Sequence, residues 1–291
     1  MKYRKFPYLL IAPATLFVAI MLLYPIVMNI GYSFREMGFF SGGSQKFIGL
    51  QNYLEVFQNP AFGIAFRNTI LFTFASVFIQ FLISLPLSIL FNQNLPGQNV
   101  ARGLALVPWM IPHVVAALAW VWMMDGQLGV LNEILFRLGV IDSYHYWLSD
   151  PKFALAGVTL INIWKGIPFN LLILLAGLQS IPEELYEAAE IDGASSIKRF
   201  FYVTLPLLRP QISVLFILGT IYTFRNFDLI FVATGGGPVY ATETLSTLAY
   251  KYSFDFFQMG QGSAVANIMF VVMIILTLIY AGLLEKDTRY E

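Results

Sequence analysis

Six long apolar runs separated by polar segments set the pattern of this chain, at about 9–29, 69–91, 103–124, 154–178, 211–233 and 264–284. Each holds roughly the 20 mainly apolar residues that carry a helix through hydrocarbon. Backbone N–H and C=O groups in lipid must be paired within their own segment, so each run predicts a helix. The runs are too long and too continuously apolar for barrel strands, which alternate over about ten residues. The expected fold is an all-α membrane protein of six transmembrane helices, with a single membrane domain over 1–291. Pro13, Pro25, Pro86, Pro108, Pro112 and Pro168 lie in the runs and predict kinks, which neighbouring helices accommodate. Such kinks also suit a central passage whose walls rock. No internal repeat is visible that would point to an inverted-repeat secondary transporter.

Six spans put both termini on one side. With the termini inside, the inner segments carry Lys2, Arg4, Lys5, Arg102, Lys198, Arg199, Arg209, Lys286 and Arg289. The outer segments carry Arg35, Lys46, Arg67, Arg137, Lys152 and Lys251, fewer cations over a greater length. The asymmetry predicts cytoplasmic termini by the positive-inside rule. Lys2, Arg4 and Lys5 precede an apolar run from Leu9 to about Met28. That exceeds the roughly 7–15 apolar residues of a cleaved signal, so the run is expected to remain as the first span.

Composition agrees. Of 291 residues, 58% are hydrophobic and 12% charged, with a mean hydropathy of +0.70. A soluble domain carries about twice that charged fraction. A formal net charge of zero argues against a nucleic-acid partner. The absence of cysteine excludes disulfides and thiolate metal sites, and two histidines, His113 and His145, exclude a histidine-rich one. No metal or cofactor is expected on this chain. His113 is expected to hydrogen-bond between helices, and the single Asn59-Pro60-Ala61 tripeptide is read as chance.

The segment 179–210, between the fourth and fifth runs, is charged and falls on the cytoplasmic side. Ser180 with Glu183 forms a capping-box pattern with Pro182 in the first turn. Glu183, Glu184 and Glu187 suit the positive end of that helix. Gly193 falls where a left-handed cap needs glycine. Ser195 or Ser196 then caps a second short helix with Ile197, Phe200 and Phe201 on one side, closed by Pro206 and Pro210. The prediction is a helix–turn–helix at the membrane surface.

Its order is Glu187-Ala188-Ala189, three residues, Gly193, nine residues, then Val203-Thr204-Leu205-Pro206. This resembles the EAA motif of permease subunits of binding-protein-dependent ABC importers, with Val203 in place of isoleucine. Gly235-Gly236-Gly237-Pro238, preceded by Phe227-Asp228-Leu229-Ile230, is similar to the carbohydrate-uptake, maltose-type branch. So is Trp164-Lys165 with Pro168-Phe169-Asn170. The resemblance extends over most of the chain and implies a type I ABC importer permease fold with a cytoplasmic coupling helix–turn–helix between spans four and five. It implies that Glu187 makes polar contacts with a cytoplasmic ATPase, that Ala188 and Ala189 pack in its cleft, and that Gly193 forms the turn before Leu205 and Pro206. It implies as partners a second homologous permease, two ABC ATPase subunits, and an extracytoplasmic sugar-binding protein docking on 30–66, 125–152 and 235–262. ATP and Mg would be bound by the ATPases, because this chain has no G-x4-G-K-[ST] phosphate loop. Lipid surrounds the spans.

Polar groups in the fourth and fifth runs mark an expected substrate path for a sugar: Asn162, Trp164, Lys165, Asn170, Tyr222, Arg225, Asn226 and Asp228. A charge at the bilayer centre costs about 2.5–3.5 kcal/mol on insertion scales, so Lys165 and Arg225 should face protein or a wet cavity. Arg225 and Asp228, three apart on one helix face, either pair structurally or line the path. An ion-coupled secondary transporter would use Lys165, Arg225 and Asp228, but the coupling loop and the carboxylate-poor interior speak against it. No G-x-S-x-G or H-E-x-x-H motif supports an intramembrane enzyme. Related permeases that carry glycerol phosphates keep an anionic cargo in view.

Overall fold

The computed structural model describes residues 6–38, 46–93 and 96–287. Lys2, Arg4, Lys5 and Arg289 lie outside the described residues, as does the side chain of Lys286. In chain order the elements are α1 (Phe6–Ser33), the antiparallel pair β1 (Arg35–Glu36) and β2 (Lys46–Phe47), α2 (Gln51–Gln58) and α3 (Pro60–Phe91). Next come α4 (Gln98–Met110), α5 (His113–Met123), α6 (Val130–Arg137), α7 (Ala154–Gln179), α8 (Glu183–Ile191) and α9 (Ser196–Arg199). After a π turn at Phe200–Thr204 come α10 (Leu205–Leu207), α11 (Arg209–Phe224), α12 (Asp228–Thr234), α13 (Leu245–Tyr250) and α14 (Met259–Asp287).

α1, α3, α7 and α14 are each long and apolar enough to cross a membrane. The other two expected spans are not straight. The third is α4 and α5, meeting at 97° across Ile111 and Pro112. The fifth run ends its helix at Phe224; Arg225–Phe227 leave helical conformation before α12 resumes at Asp228. Upstream, the helical stretch Ser196–Leu207 bends 62° into α11. Six spans result if each bent pair counts as one. The second and sixth helices are longer than their apolar runs, starting at Pro60 and Met259. Asn59-Pro60-Ala61 has a structural role: the Asn59 side chain accepts the Ala61 N–H at 2.9 Å, with proline at the first helical position.

Contacts divide the chain into two compact units. The smaller comprises Met1–Gly63 with Leu248–Val271. Lipid tails are as apolar as leucine, so helices in it associate through small residues and polar contacts. Here Asn29 Nδ2 donates to Asn267 Oδ1 at 2.7 Å, Asn267 Nδ2 to Tyr53 OH at 3.1 Å, and Tyr53 OH to Ser33 Oγ at 2.9 Å. Asn52 Nδ2 donates to the carbonyls of Ser33 and Arg35. Most of α1 is exposed apolar surface.

The larger unit comprises Ile64–Thr247 with Val272–Glu291. Its core packs Phe72, Ala117, Met124, Val158, Ile161, Leu229 and Ile230. Thr69, Thr73, Ser76, Gln80, Ser84 and Ser88 are all buried on α3, a polar stripe at helical spacing. Thr69 Oγ1 accepts the Leu245 N–H at 2.9 Å, and Ser84 Oγ donates to Ile167 O at 3.2 Å. α7, with Asn162 and Lys165 among its buried residues, runs through the centre of this unit.

The 125–153 segment is organised by one amide. Asn132 is fully buried. Its Nδ2 donates to Asp125 O and His145 O, and its Oδ1 accepts from His145 N and Trp147 Nε1. The Asp125 carboxylate takes the N–H groups of Leu128 and Gln127, which hold its carboxyl below the usual range. Asn132→Ala leaves several of these groups unpaired, at about 1–3 kcal/mol each where buried. The purified variant should aggregate at a lower temperature in detergent; an unchanged profile would show that 125–153 folds without it.

Candidate functional site

The two helix breaks face one another across a cavity of about 690 Å³ within the larger unit. It is lined by the third-span break, Trp109 to His113, and by the end of α11 and the fifth-span break, with Tyr222, Thr223 and Arg225 to Asp228. α7 supplies the floor with Asn162, Lys165, Gly166, Phe169 and Asn170, and α3 contributes Gln80.

Each break is held by a side chain of α7. Asn162 Oδ1 accepts from Asn226 Nδ2 at 3.0 Å. Asn226 in turn accepts the Leu229 N–H on its side chain at 3.4 Å and the Ser246 hydroxyl on its carbonyl at 3.2 Å. Lys165 is 4% exposed, and its Nζ donates to the carbonyls of Pro108 (3.0 Å), Trp109 (3.1 Å) and Ile111 (2.5 Å). Gln80 Nε2 donates to Asn162 O at 2.9 Å, and Gln80 Oε1 accepts from Asn170 at 3.4 Å. Gly166 lies under the Gln80 amide, which a Cβ there would meet at 2.3 Å.

Aromatic rings form a row along the cavity. Trp109 stacks on Phe169 with ring centroids 6.4 Å apart, and Phe169 meets Tyr222 edge-on at 6.0 Å. The Arg225 guanidinium lies over the Tyr222 ring at 5.5 Å, within cation–π range. Exposed aromatic faces, amides, one guanidinium and one carboxylate are a set able to stack on and hydrogen-bond a polyhydroxylated molecule.

Seven of the eight expected path residues line this cavity: Asn162, Lys165, Asn170, Tyr222, Arg225, Asn226 and Asp228. Trp164 lies off it and packs edge-on against Trp120 at 5.7 Å. Arg225 and Asp228 make no ion pair; the helix stops at Phe224, so the three-residue spacing no longer puts them on one face. His113 makes no side-chain hydrogen bond between helices and instead lines the cavity at the start of α5. Gln80 and Trp109 escaped the sequence reading, and Phe169 entered it only through the Pro168-Phe169-Asn170 resemblance. Gln80 had a signal, as the only amide in the second apolar run.

The 179–210 segment forms the expected pair of helices. α8 ends in a left-handed Gly193 at φ +76. The Ala194 N–H bonds Ala189 O at 2.9 Å and the Gly193 N–H bonds Glu190 O at 3.0 Å, the Schellman pattern. Ser195 caps α9 through the Lys198 N–H. Arg199 pairs with Glu190 at 2.7 Å and Tyr186 OH meets Thr204 Oγ1 at 3.0 Å, tying the helices together. The capping box does not form: Ser180 Oγ donates back to Gly177 O at 2.7 Å, and α8 has no side-chain cap. Pro206 lies within α10 and Pro210 in the first turn of α11, so the bend falls at Leu208 between them. Glu187 and Ala188 are exposed, Ala189, Leu205 and Pro206 half-buried. Ile191 (86%), Tyr202 (80%) and Ile197 (72%) are also open to the surroundings.

Residues 84–290 match the family described as the binding-protein-dependent transport system inner membrane component. The chain is 39% identical to the trehalose/maltose transport system permease protein MalF of Thermococcus litoralis, over 99% of this chain and 97% of that one. It is 38% identical to the sulfoquinovosyl glycerol transport system permease protein SmoG of Agrobacterium fabrum, over 98% and 92%. Against the sn-glycerol-3-phosphate transport system permease protein UgpA of Yersinia pestis it is 35% identical, over 98% and 96%. Among solved structures, the fold matches a chain of a bacterial ABC transporter involved in import of the acidic polysaccharide alginate, with a TM-score of 0.83 at 22% identity, over 98% of this chain and 96% of that one. The chain therefore belongs to the family of inner membrane components of binding-protein-dependent transport systems.

Proposed function

We propose that this protein is the permease subunit of an ATP-driven importer that takes up a sugar or oligosaccharide by alternating access. The observation that carries the cargo class is the aromatic row Trp109, Phe169 and Tyr222 set against the amides of Asn162, Asn170 and Asn226 in one cavity. Rings stack on sugar faces while amides bond hydroxyls. The end-to-end similarity to permeases named for trehalose and maltose supports the same reading.

ATP is hydrolysed by separate cytoplasmic subunits, two per transporter, which hold the ATP and Mg. The exposed Glu187–Ala188 face and the apolar Ile191, Ile197 and Tyr202 seat in their clefts. A second homologous permease completes the passage, and an extracytoplasmic binding protein delivers the cargo to the outer segments. Both termini lie in the cytoplasm, and residues 1–291 act as one permease domain. Closure of the ATPases moves the 179–210 segment and, through the bend at Leu208, the helix α11 that ends in the cavity wall. A second reading, an anionic polyol such as glycerol phosphate, is favoured by one observation: the exposed Arg225 has no ion pair with Asp228.

Three outcomes test this. Glu187→Lys should abolish uptake while the chain still reaches the membrane; unimpaired uptake would remove Glu187 from the coupling contact. Gly193→Val meets no neighbouring atom within 4 Å, so its effect comes from the left-handed backbone, roughly 1–2 kcal/mol. ATP hydrolysis by the complex should continue with transport reduced; full coupling would refute the role of the turn. Uptake of labelled trehalose, maltose and sn-glycerol-3-phosphate by the assembled transporter distinguishes the two cargo classes. Arg225→Gln should abolish any glycerol-phosphate uptake and weaken disaccharide uptake less.

A further inference from the structure

Proline 112 has no N–H to return to the carbonyl of Pro108, four residues earlier. The 97° turn after Met110 removes the helical partners of the next carbonyls as well. A helix C-terminus leaves its last carbonyls without donors, and in an apolar interior each unpaired group is costly. Lys165 supplies what is missing. An ammonium has three N–H donors, and three carbonyls of the break, those of Pro108, Trp109 and Ile111, take them. Its charge sits at the negative end of α4, where a cation is favoured. No carboxylate pairs with it, and it is 4% exposed.

We infer that Lys165 is a positioning residue that pins the third-span break open as a cavity wall, and is not a ligand of the cargo. The pinned segment is functional surface, since Trp109, Met110, Ile111, Pro112 and His113 all line the cavity. With the donors of Lys165 fully engaged, Arg225 is, among the described lysines and arginines that line the cavity, the one left to meet the cargo. The transport consequence rests on the reading of this cavity as the translocation path; the pin itself rests on the geometry alone.

Because the chain has no cysteine, Met110→Cys provides a single maleimide reporter on it within the full transporter in liposomes. Met110 is 76% exposed. Adding K165M should shift the labelling rate about tenfold, the factor that corresponds to about 1.4 kcal/mol, and K165R should keep it near the parent value. Equal rates in all three would overturn the inference. Where K165M fails to accumulate, adding P112A should recover it, because alanine returns the N–H that the Pro108 carbonyl lacks. Recovery by neither P112A nor K165R would also overturn the inference. Uptake separates the pin from the path. A shifted labelling rate with intact uptake supports the pin and removes the cavity from the path. Unchanged labelling with uptake lost overturns the pin and makes Lys165 a cargo contact.

Discussion

A helix that breaks inside an apolar span must find donors for the carbonyls it exposes, and the rest of this structure depends on how that demand is met. Two breaks face the cavity, one at Ile111–Pro112 and one at Arg225–Phe227. At the first, Lys165 of α7 donates to the exposed carbonyls; at the second, Asn162 of α7, three residues earlier and so on the same helix face, accepts from the Asn226 side chain and anchors the break. Without Lys165 the carbonyls of the third-span break would lie unpaired in an apolar interior, which is costly. The wall of the cavity at the third-span break thus depends on backbone satisfaction before it depends on the side chains that face inward. Gln80 extends the same arrangement to α3, bonding the Asn162 carbonyl and the Asn170 amide.

This arrangement separates two kinds of charge that look alike in sequence. Lys165 is buried and engaged by the backbone, whereas Arg225 is exposed and lies over the Tyr222 ring. Insertion energetics asks that both face protein or a wet cavity, and both line the cavity. The geometry distinguishes the lysine that shapes the wall from the arginine that meets what enters. The other end of the molecule follows a related economy. The turn at Gly193 and the Glu190–Arg199 pair fix a helix–turn–helix on which Ile191, Ile197 and Tyr202 are exposed. α11 connects that segment to the cavity, beginning at the bend beside Leu208 and ending at Phe224.

The helices were legible in the sequence because burial in lipid demands about 20 apolar residues, and that demand leaves a visible run. The left-handed Gly193 and the cap at Ser195 were legible for a similar reason, since few residues meet those backbone conditions. The breaks were less so. Proline at 112 signals a kink, but a 97° turn requires Lys165, 53 residues away, to satisfy the carbonyls. The pairing of Arg225 with Asp228 presumed a continuous helix, and the partners of Asn226 on α7 and near α13 are non-local. Ser180 fitted a local capping pattern, yet its hydroxyl has a nearer acceptor in Gly177. Family resemblance supplied the rest, through the spacing from Glu187 to Pro206, and the end-to-end similarity to permeases of known transport systems agrees with it.

The central claim is that cargo passes between the two breaks. The most direct measurement is a cryo-electron microscopy map of the assembled transporter, stalled with a transported sugar inside. The account predicts ligand density against Trp109, Phe169 and Tyr222, with both breaks intact and Lys165 still bonded to the carbonyls of the third-span break. Ligand density elsewhere, with residues 98–123 refolded into one continuous helix, would contradict it.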